Sequence, residues 1–331
     1  MAPKRILNWG LLGTARINEK IIPLLKEYPL ANAYAVASRD EQKAASYAEK
    51  WDLERSFGRY DALLDDPAVD VVYLSLPNHL HVEWALEAIL RGKHVLCEKP
   101  LALDAAEVQS LSKAAVQHGV VVTEGFMYRH HRQTLRLREL IDEGRIGILR
   151  GMRGSFHFTI APGPNIRLDP AAGGGAIWDL GCYLTSLMGF IAGGAPESVF
   201  GRADFGPSGV DEGFTAQLHY ARGVSGNFDC SFHAPRTDTF EIIGTAGILR
   251  VPHPFKPTVL ETLTLVTSAG TEAIEVSDAR NPYLPQIENL TEAVFSHAQP
   301  RVTLAESLAV TATLQALLKS AKTGQLVKVS A

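Results

Sequence analysis

The chain has 331 residues, 46% hydrophobic and 21% charged, a composition that builds hydrophobic cores rather than disordered tracts and a length that suits two domains. With 32 basic and 36 acidic residues the net charge is −4, which gives no electrostatic case for nucleic acid or a membrane surface as partner. Cys97, Cys182 and Cys230 form no C-x-x-C pair and no disulfide framework, and no signal-peptide pattern or 18-residue apolar run stands out, so a cytoplasmic setting with reduced thiols is expected.

Residues 6–12 (ILNWGLL) read as a first strand, and 15–28 as a helix with apolar residues at helical spacing. A second strand follows at 31–38, then a helix at 40–51 that opens with acidic residues. The third strand, 69–76, is strongly β-branched, and the amphipathic helix after it, 81–92, stops at Gly92. A fourth strand at 94–98, a helix at 104–119 and a fifth strand at 120–125 complete the run. Such alternation of short apolar strands with helices predicts βαβ crossovers and an α/β, doubly wound parallel sheet, a Rossmann domain over 1–123.

Beyond residue 124 the grammar changes. Helices are expected at 134–147 and 176–193, with strand-like runs at 198–206, 213–221, 223–234, 238–251 and 259–270. These predict a C-terminal α+β domain over 124–331, built on a largely antiparallel open-faced sheet with helices on one face. A final helix at 304–324 is expected to pack back on the first domain.

Between the first strand and first helix stands NWGLLGTARIN. Gly13-x-Ala15-x-x-Asn18 matches the dinucleotide fingerprint G-x-G-x-x-G/A only in part. Its position counts for more: the first βα turn of such a domain brings the backbone of Gly13, Thr14, Ala15, Arg16 and Ile17, and a helix N-terminus, to a pyrophosphate. An ordinary strand-to-helix turn is the alternative. Ser38 and Arg39 end the second strand, where NAD sites carry an acid. A hydroxyl and a guanidinium suit a 2′-phosphate better, so NADP(H) is expected in preference to NAD(H), and Asp40 argues the other way.

Ligands of an open parallel sheet bind at the carboxyl ends of its strands. There the third strand leads into Leu76, Pro77, Asn78 and His81, and the fourth into Glu98-Lys99-Pro100. Lys99 is therefore expected near a nicotinamide, where an ammonium can hydrogen-bond the reacting oxygen or lower the pKa of a neighbouring acid, with Glu98 orienting it.

Glu98-Lys99-Pro100 after the fourth strand, then Gly174-Gly175 followed by Asp179-x-x-x-Tyr183, resembles the Gfo/Idh/MocA oxidoreductase family along essentially the whole chain. The resemblance implies that the lysine and the second-domain residue act on a substrate hydroxyl or carbonyl while NAD(P) takes or gives the hydride. Many members have histidine where Tyr183 stands. The tyrosine form, with NIRLDP at 165–170 and EGFMYRHH at 124–131, resembles the branch of D-xylose dehydrogenases, dimeric dihydrodiol dehydrogenases, glucose–fructose oxidoreductases and 3-keto-sugar reductases. It also implies pairing of copies through the open face of the second sheet, as a homodimer or higher homo-oligomer.

The side-chain chemistry agrees. Asp179 and Tyr183 lie four apart in a helical segment and share a face. A phenol ionises near pH ~10, and an ammonium such as that of Lys99 stabilises its phenolate. Tyr183 is thus the expected general acid/base, Lys99 its electrostatic partner, and Asp179 the group that holds substrate or lysine. Asn165 and Arg167, in a Pro/Gly-flanked loop, suit the hydroxyls of an aldose such as D-xylose or a related cyclic polyol. Tyr128 and Arg129 follow the fifth strand and are expected to face the substrate; Trp178 is a packing residue or a platform for a sugar ring. His79, His81, His130 and His131 form no convincing metal-ligand pattern, and no G-x-S-x-G turn points to a hydrolase. A sugar-to-sugar oxidoreductase with retained NADP(H) and a non-catalytic NADP-binding regulator are the remaining alternatives.

Overall fold

The computed structural model describes residues 5–330, which form two compact units. The first comprises residues up to 102, 106–126 and 283–304; the second comprises 103–105, 127–282 and the chain from 305 onward.

In the first unit the strands are β1 (Leu7–Leu12), β2 (Ala31–Ala37), β3 (Arg55–Phe57), β4 (Val71–Leu74), β5 (His94–Cys97) and β6 (Val122–Glu124). Every pairing is parallel and the order is β3-β2-β1-β4-β5-β6. Strands covered on both faces must be apolar throughout, and β4 and most of β1 are fully buried. The helices α1 (Asn18–Glu27), α2 (Glu41–Trp51), α3 (Tyr60–Leu64), α4 (His81–Leu90) and α5 (Ala105–His118) fall between them. The chain leaves β1 toward β2 on one side and returns to β4 on the other, which opens a crevice at the carboxyl ends of β1 and β4. Strand β3 is absent from the sequence-based expectation because it is a three-residue edge strand with two exposed positions and no apolar alternation.

The second unit holds β7 (Leu149–His157), β8 (Ser198–Phe205), β9 (Asp211–His219), β10 (Ser225–Ser231), β11 (Thr237–Gly244), β12 (Gly247–Pro252), β13 (Leu260–Thr267), β14 (Gly270–Ser277) and β15 (Val327–Lys328), in the order β14-β13-β12-β11-β7-β10-β9-β8-β15. All pairs are antiparallel except β7 with β10. The run 238–251 resolves into β11 and β12 across a turn. Central β7 escaped sequence reading because LRGMRGSFH mixes arginine and glycine with its apolar residues. One of those glycines has a structural reason. A Cβ at Gly154 would lie 2.5 Å from Leu184 Cδ2 and 2.7 Å from Phe240 Cδ2, so its absence lets α7 (Cys182–Ala192) sit close on the sheet.

A π turn, Ile177–Gly181, leads directly into α7. The stretch Pro170–Ala192 is long and apolar enough to cross a bilayer by composition, but 78% of its apolar window is buried, as in a core helix. Of the remaining helices, α6 (Arg132–Asp142) and α9 (Leu304–Thr323) belong mainly to the second unit and α8 (Leu284–Ser296) to the first. The Gly201 N–H of β8 donates to Ser320 Oγ of α9 at 3.0 Å, and a Cβ at Gly201 would approach Leu317 O to 2.8 Å.

Replacing Gly154 by alanine forces both Leu184 and Phe240 to give way, since a Cβ would lie 2.5 and 2.7 Å from them. We expect a loss of about 1–3 kcal/mol, read as a lower urea midpoint with an unchanged m-value.

Candidate active site

At the first βα turn Gly13 has φ +95°, a conformation that favours glycine, and a Cβ there would lie 3.0 Å from Leu76 Cδ2. The turn is tied down at three points. The Gly13 N–H donates to Ala37 O at 2.9 Å, Asn18 Nδ2 donates to Gly13 O at 2.9 Å, and Ser75 Oγ donates to Asn18 Oδ1 at 2.7 Å. Buried Asn18, at the third position of the partial fingerprint, thus links the turn to the end of β4. Among the described residues the N–H groups of Thr14, Ala15, Arg16 and Ile17 meet no acceptor. Such a row of amides at the start of α1 fits the pyrophosphate of a dinucleotide.

Asp40 is engaged elsewhere. Its Oδ1 accepts the Lys43 N–H at 3.0 Å and caps α2, while its own N–H donates to Ser38 Oγ at 3.2 Å. The Arg39 side chain lies exposed beside the phenol of Tyr60.

His81 was expected next to the cofactor. It is instead 1% exposed, with Nδ1 2.7 Å from Pro100 O and Nε2 2.8 Å from Leu76 O. Burial pushes its pKa down despite these carbonyls. His81 is a clamp between the segments that follow β4 and β5, and so holds Leu76, Pro77 and Asn78 relative to Lys99. Glu98 accepts the Tyr73 phenol O–H at 2.6 Å. Lys99 stands half-buried just beyond β5, followed by a cis peptide to Pro100.

In the second unit the glycine run has a clear cause. A Cβ at Gly174 would meet Arg167 O at 2.5 Å, and one at Gly175, where φ is +126°, would overlap the Asp211 carboxylate. That closeness lets Asp211 Oδ2 accept the Ile177 N–H at 2.6 Å, and the carboxylate also takes the Ala176 N–H. Asp211, from β9, therefore caps the helix that carries Asp179 and Tyr183. Burial outweighs these donors and raises the Asp211 pKa to about 7. The Gly175 N–H donates to Arg167 O at 2.9 Å, and Asn165 Oδ1 accepts the Arg167 N–H at 3.0 Å. Asn165 is thus occupied on its oxygen in shaping the loop. Arg167 Nε then donates to Asp179 Oδ2 at 2.7 Å.

Tyr183 is 5% exposed and packs among Tyr128, Phe156 and Phe255, with ring centroids 5.9, 5.5 and 5.5 Å away. Lys256 Nζ stands 3.4 Å from its phenol oxygen and 5.3 Å from its ring centroid. Sequence reading missed Lys256, since a lysine among the prolines of PHPFKP gives no sign of its partner. Tyr128 is fully buried and donates to Ser186 Oγ at 3.0 Å; it backs Tyr183 rather than presenting its hydroxyl to a substrate. Arg129 needs a similar correction. It is 2% exposed, paired with Glu306 at 2.7 Å, and its guanidinium lies 3.9 Å over the ring of Phe190. Trp178 is 7% exposed, a packing residue.

The amide-lined glycine turn of a parallel αβ sheet, and a tyrosine, carboxylate and cations gathered on a second sheet, define a two-unit, dinucleotide-dependent oxidoreductase. Comparison with known proteins agrees. Residues 7–126 match the oxidoreductase family model with an NAD-binding Rossmann fold, and 134–250 match the GFO/IDH/MocA C-terminal domain. The chain belongs to the GFO/IDH/MocA oxidoreductase family. It is 35% identical over 324 residues to a D-xylose 1-dehydrogenase (NADP(+)) of Haloferax volcanii, covering 97% of this chain and 99% of that one. It is 32% identical to a mouse trans-1,2-dihydrobenzene-1,2-diol dehydrogenase over 77% of each chain. Among solved structures, a 3-ketoreductase from Actinomadura kijaniata in complex with NADP and TDP-benzene superposes with a TM-score of 0.89 at 30% identity, over 96% of this chain and 98% of that one.

The raised Asp211 pKa sets a direction for stability. Its contribution is fully present below the ordinary carboxylate range and is lost as pH rises through about 7. We expect the melting temperature to fall across this window in the wild type and much less in Asp211→Asn. The variant should be less stable overall, having lost one acceptor, and thermal melts at several pH values test both points.

Proposed function

We propose that the protein is an NADP-preferring dehydrogenase or reductase that acts on the CH–OH group, or the matching carbonyl, of an aldose such as D-xylose or a related cyclic polyol. The observation that carries the cofactor reading is the use of Asp40 as the cap of α2, which leaves Ser38 and exposed Arg39 to meet a 2′-phosphate. Full-length similarity to a D-xylose 1-dehydrogenase supports the sugar reading. The paired Arg167 and Asp179, with Asn165 beside them, offer the donors and acceptors that hydroxyl groups need.

A bound nicotinamide supplies hydride chemistry. The chain supplies the rest. The amides of residues 14–17 and the N-terminus of α1 hold a pyrophosphate. Lys99 is assigned to hydrogen-bond the reacting oxygen. Tyr183 gives its phenol proton to a carbonyl being reduced, or as phenolate takes the proton of a hydroxyl being oxidised. Asp179, held by Arg167, accepts from a neighbouring hydroxyl and fixes the substrate's orientation.

Nicotinamide absorbance should rise with NADP+ and D-xylose, or with another aldose or cyclic diol of the series. It should fall by about 10²–10⁴-fold in Tyr183→Phe and Lys99→Ala. Arg39→Ala should raise KM for NADP+ about tenfold and leave that for NAD+ unchanged. No turnover, but a nicotinamide released on denaturation, would favour the two-sugar oxidoreductase with retained cofactor. Binding without turnover on any substrate would favour the regulator.

A further inference from the structure

We infer that Lys256 is a positioning residue for proton transfer, whose ammonium holds the Tyr183 phenol in place and favours its ionised form. The inference rests on the reading of Tyr183 as the proton-transfer group. It adds a cation that comes from the second unit itself, from the link between β12 and β13.

The geometry carries it. At 3.4 Å the Nζ–Oη contact is longer than a strong hydrogen bond, so Lys256 acts chiefly through its charge. That charge is effective because the phenol lies among three aromatic rings with little water, where an ion pair is screened far less than on a surface. Several other titratable or charged groups lie around Tyr183 within this unit. Asp179 stands on the same helical segment, with its charge offset by Arg167 at 2.7 Å, and Cys182 is adjacent in the chain. Tyr128 comes from the turn at 127–130, and burial keeps it protonated. Within this unit the cation that contacts the phenol oxygen is Lys256, at 3.4 Å.

The link is built to aim that charge. Residues 252–257 read PHPFKP, and the three prolines restrict the backbone. Phe255 is fully buried, stacked on Phe156 at 5.1 Å and edge-on to Tyr128 at 5.4 Å, which anchors the residue just before Lys256. The buried carboxylate of Asp238, on β11, accepts the backbone N–H groups of Phe255 and Lys256. The lysine thus leaves a fixed backbone rather than a free loop.

The test is an ultraviolet difference titration of tyrosinate, the wild type minus Tyr183→Phe, repeated in the Lys256→Met background. It needs no substrate, so it reads the inference even if the sugar assignment fails. The Tyr183 transition should move up by about one pH unit without Lys256, and Lys256→Arg should restore it. Where turnover is measurable, the rising limb of kcat against pH in the oxidative direction should move up by the same amount. The loss would be about tenfold below the limb and slight on the plateau, with KM little changed. An unchanged Tyr183 transition in Lys256→Met would overturn the inference, as would a lowered plateau with the limb in place, which is the signature of a purely structural side chain.

Discussion

The site of the second unit depends on the Asp211 carboxylate resting against the first amides of the helix that bears Asp179 and Tyr183. A helix start buried without partners leaves orphan N–H groups, each costly in a dry interior. Here a carboxylate from a neighbouring strand meets them, and it can approach only because Gly175 has no side chain. The same glycine run admits the Arg167 carbonyl, so loop 165–169 is drawn to the helix and its guanidinium reaches Asp179. A capping contact thereby fixes three candidate site residues. Its cost is visible in the pKa of Asp211, raised to about 7.

The first unit solves a similar problem by different means. Its glycine turn is locked by Asn18 and Ser75, and the segments after β4 and β5 are joined by His81. None of these three side chains needs to touch a ligand. They hold backbone amides and Lys99 where the parallel sheet presents them. Both units thus spend buried polar groups on holding backbone, and place the reactive groups next to backbone already fixed.

Much of this was legible in the sequence. Alternating apolar strands and helices gave the parallel sheet, because strands covered on both faces must be apolar throughout. Asp179 and Tyr183 could be placed on one face from their spacing. What escaped depends on contacts distant in the chain. Asp211 and Asn18 look like ordinary polar residues until their buried partners are known. Lys256 meets Tyr183 across 73 positions, and nothing local in PHPFKP announces it. Arg129 was misread for the same reason: an arginine after a strand end reads as a ligand donor, but Glu306 and Phe190 enclose it. Edge strand β3 and glycine-containing β7 were missed because their positions in the sheets, rather than their composition, make them strands.

The Gly175–Asp211 junction organises the second-unit site. Hydrogen exchange and turnover of Gly175→Ala test it most directly, with NADP+ binding followed by fluorescence as the control on the first unit. Faster exchange at the amides of 176–183 and a large loss of turnover are expected, with NADP+ affinity unchanged. Wild-type protection at those amides together with wild-type turnover would contradict it.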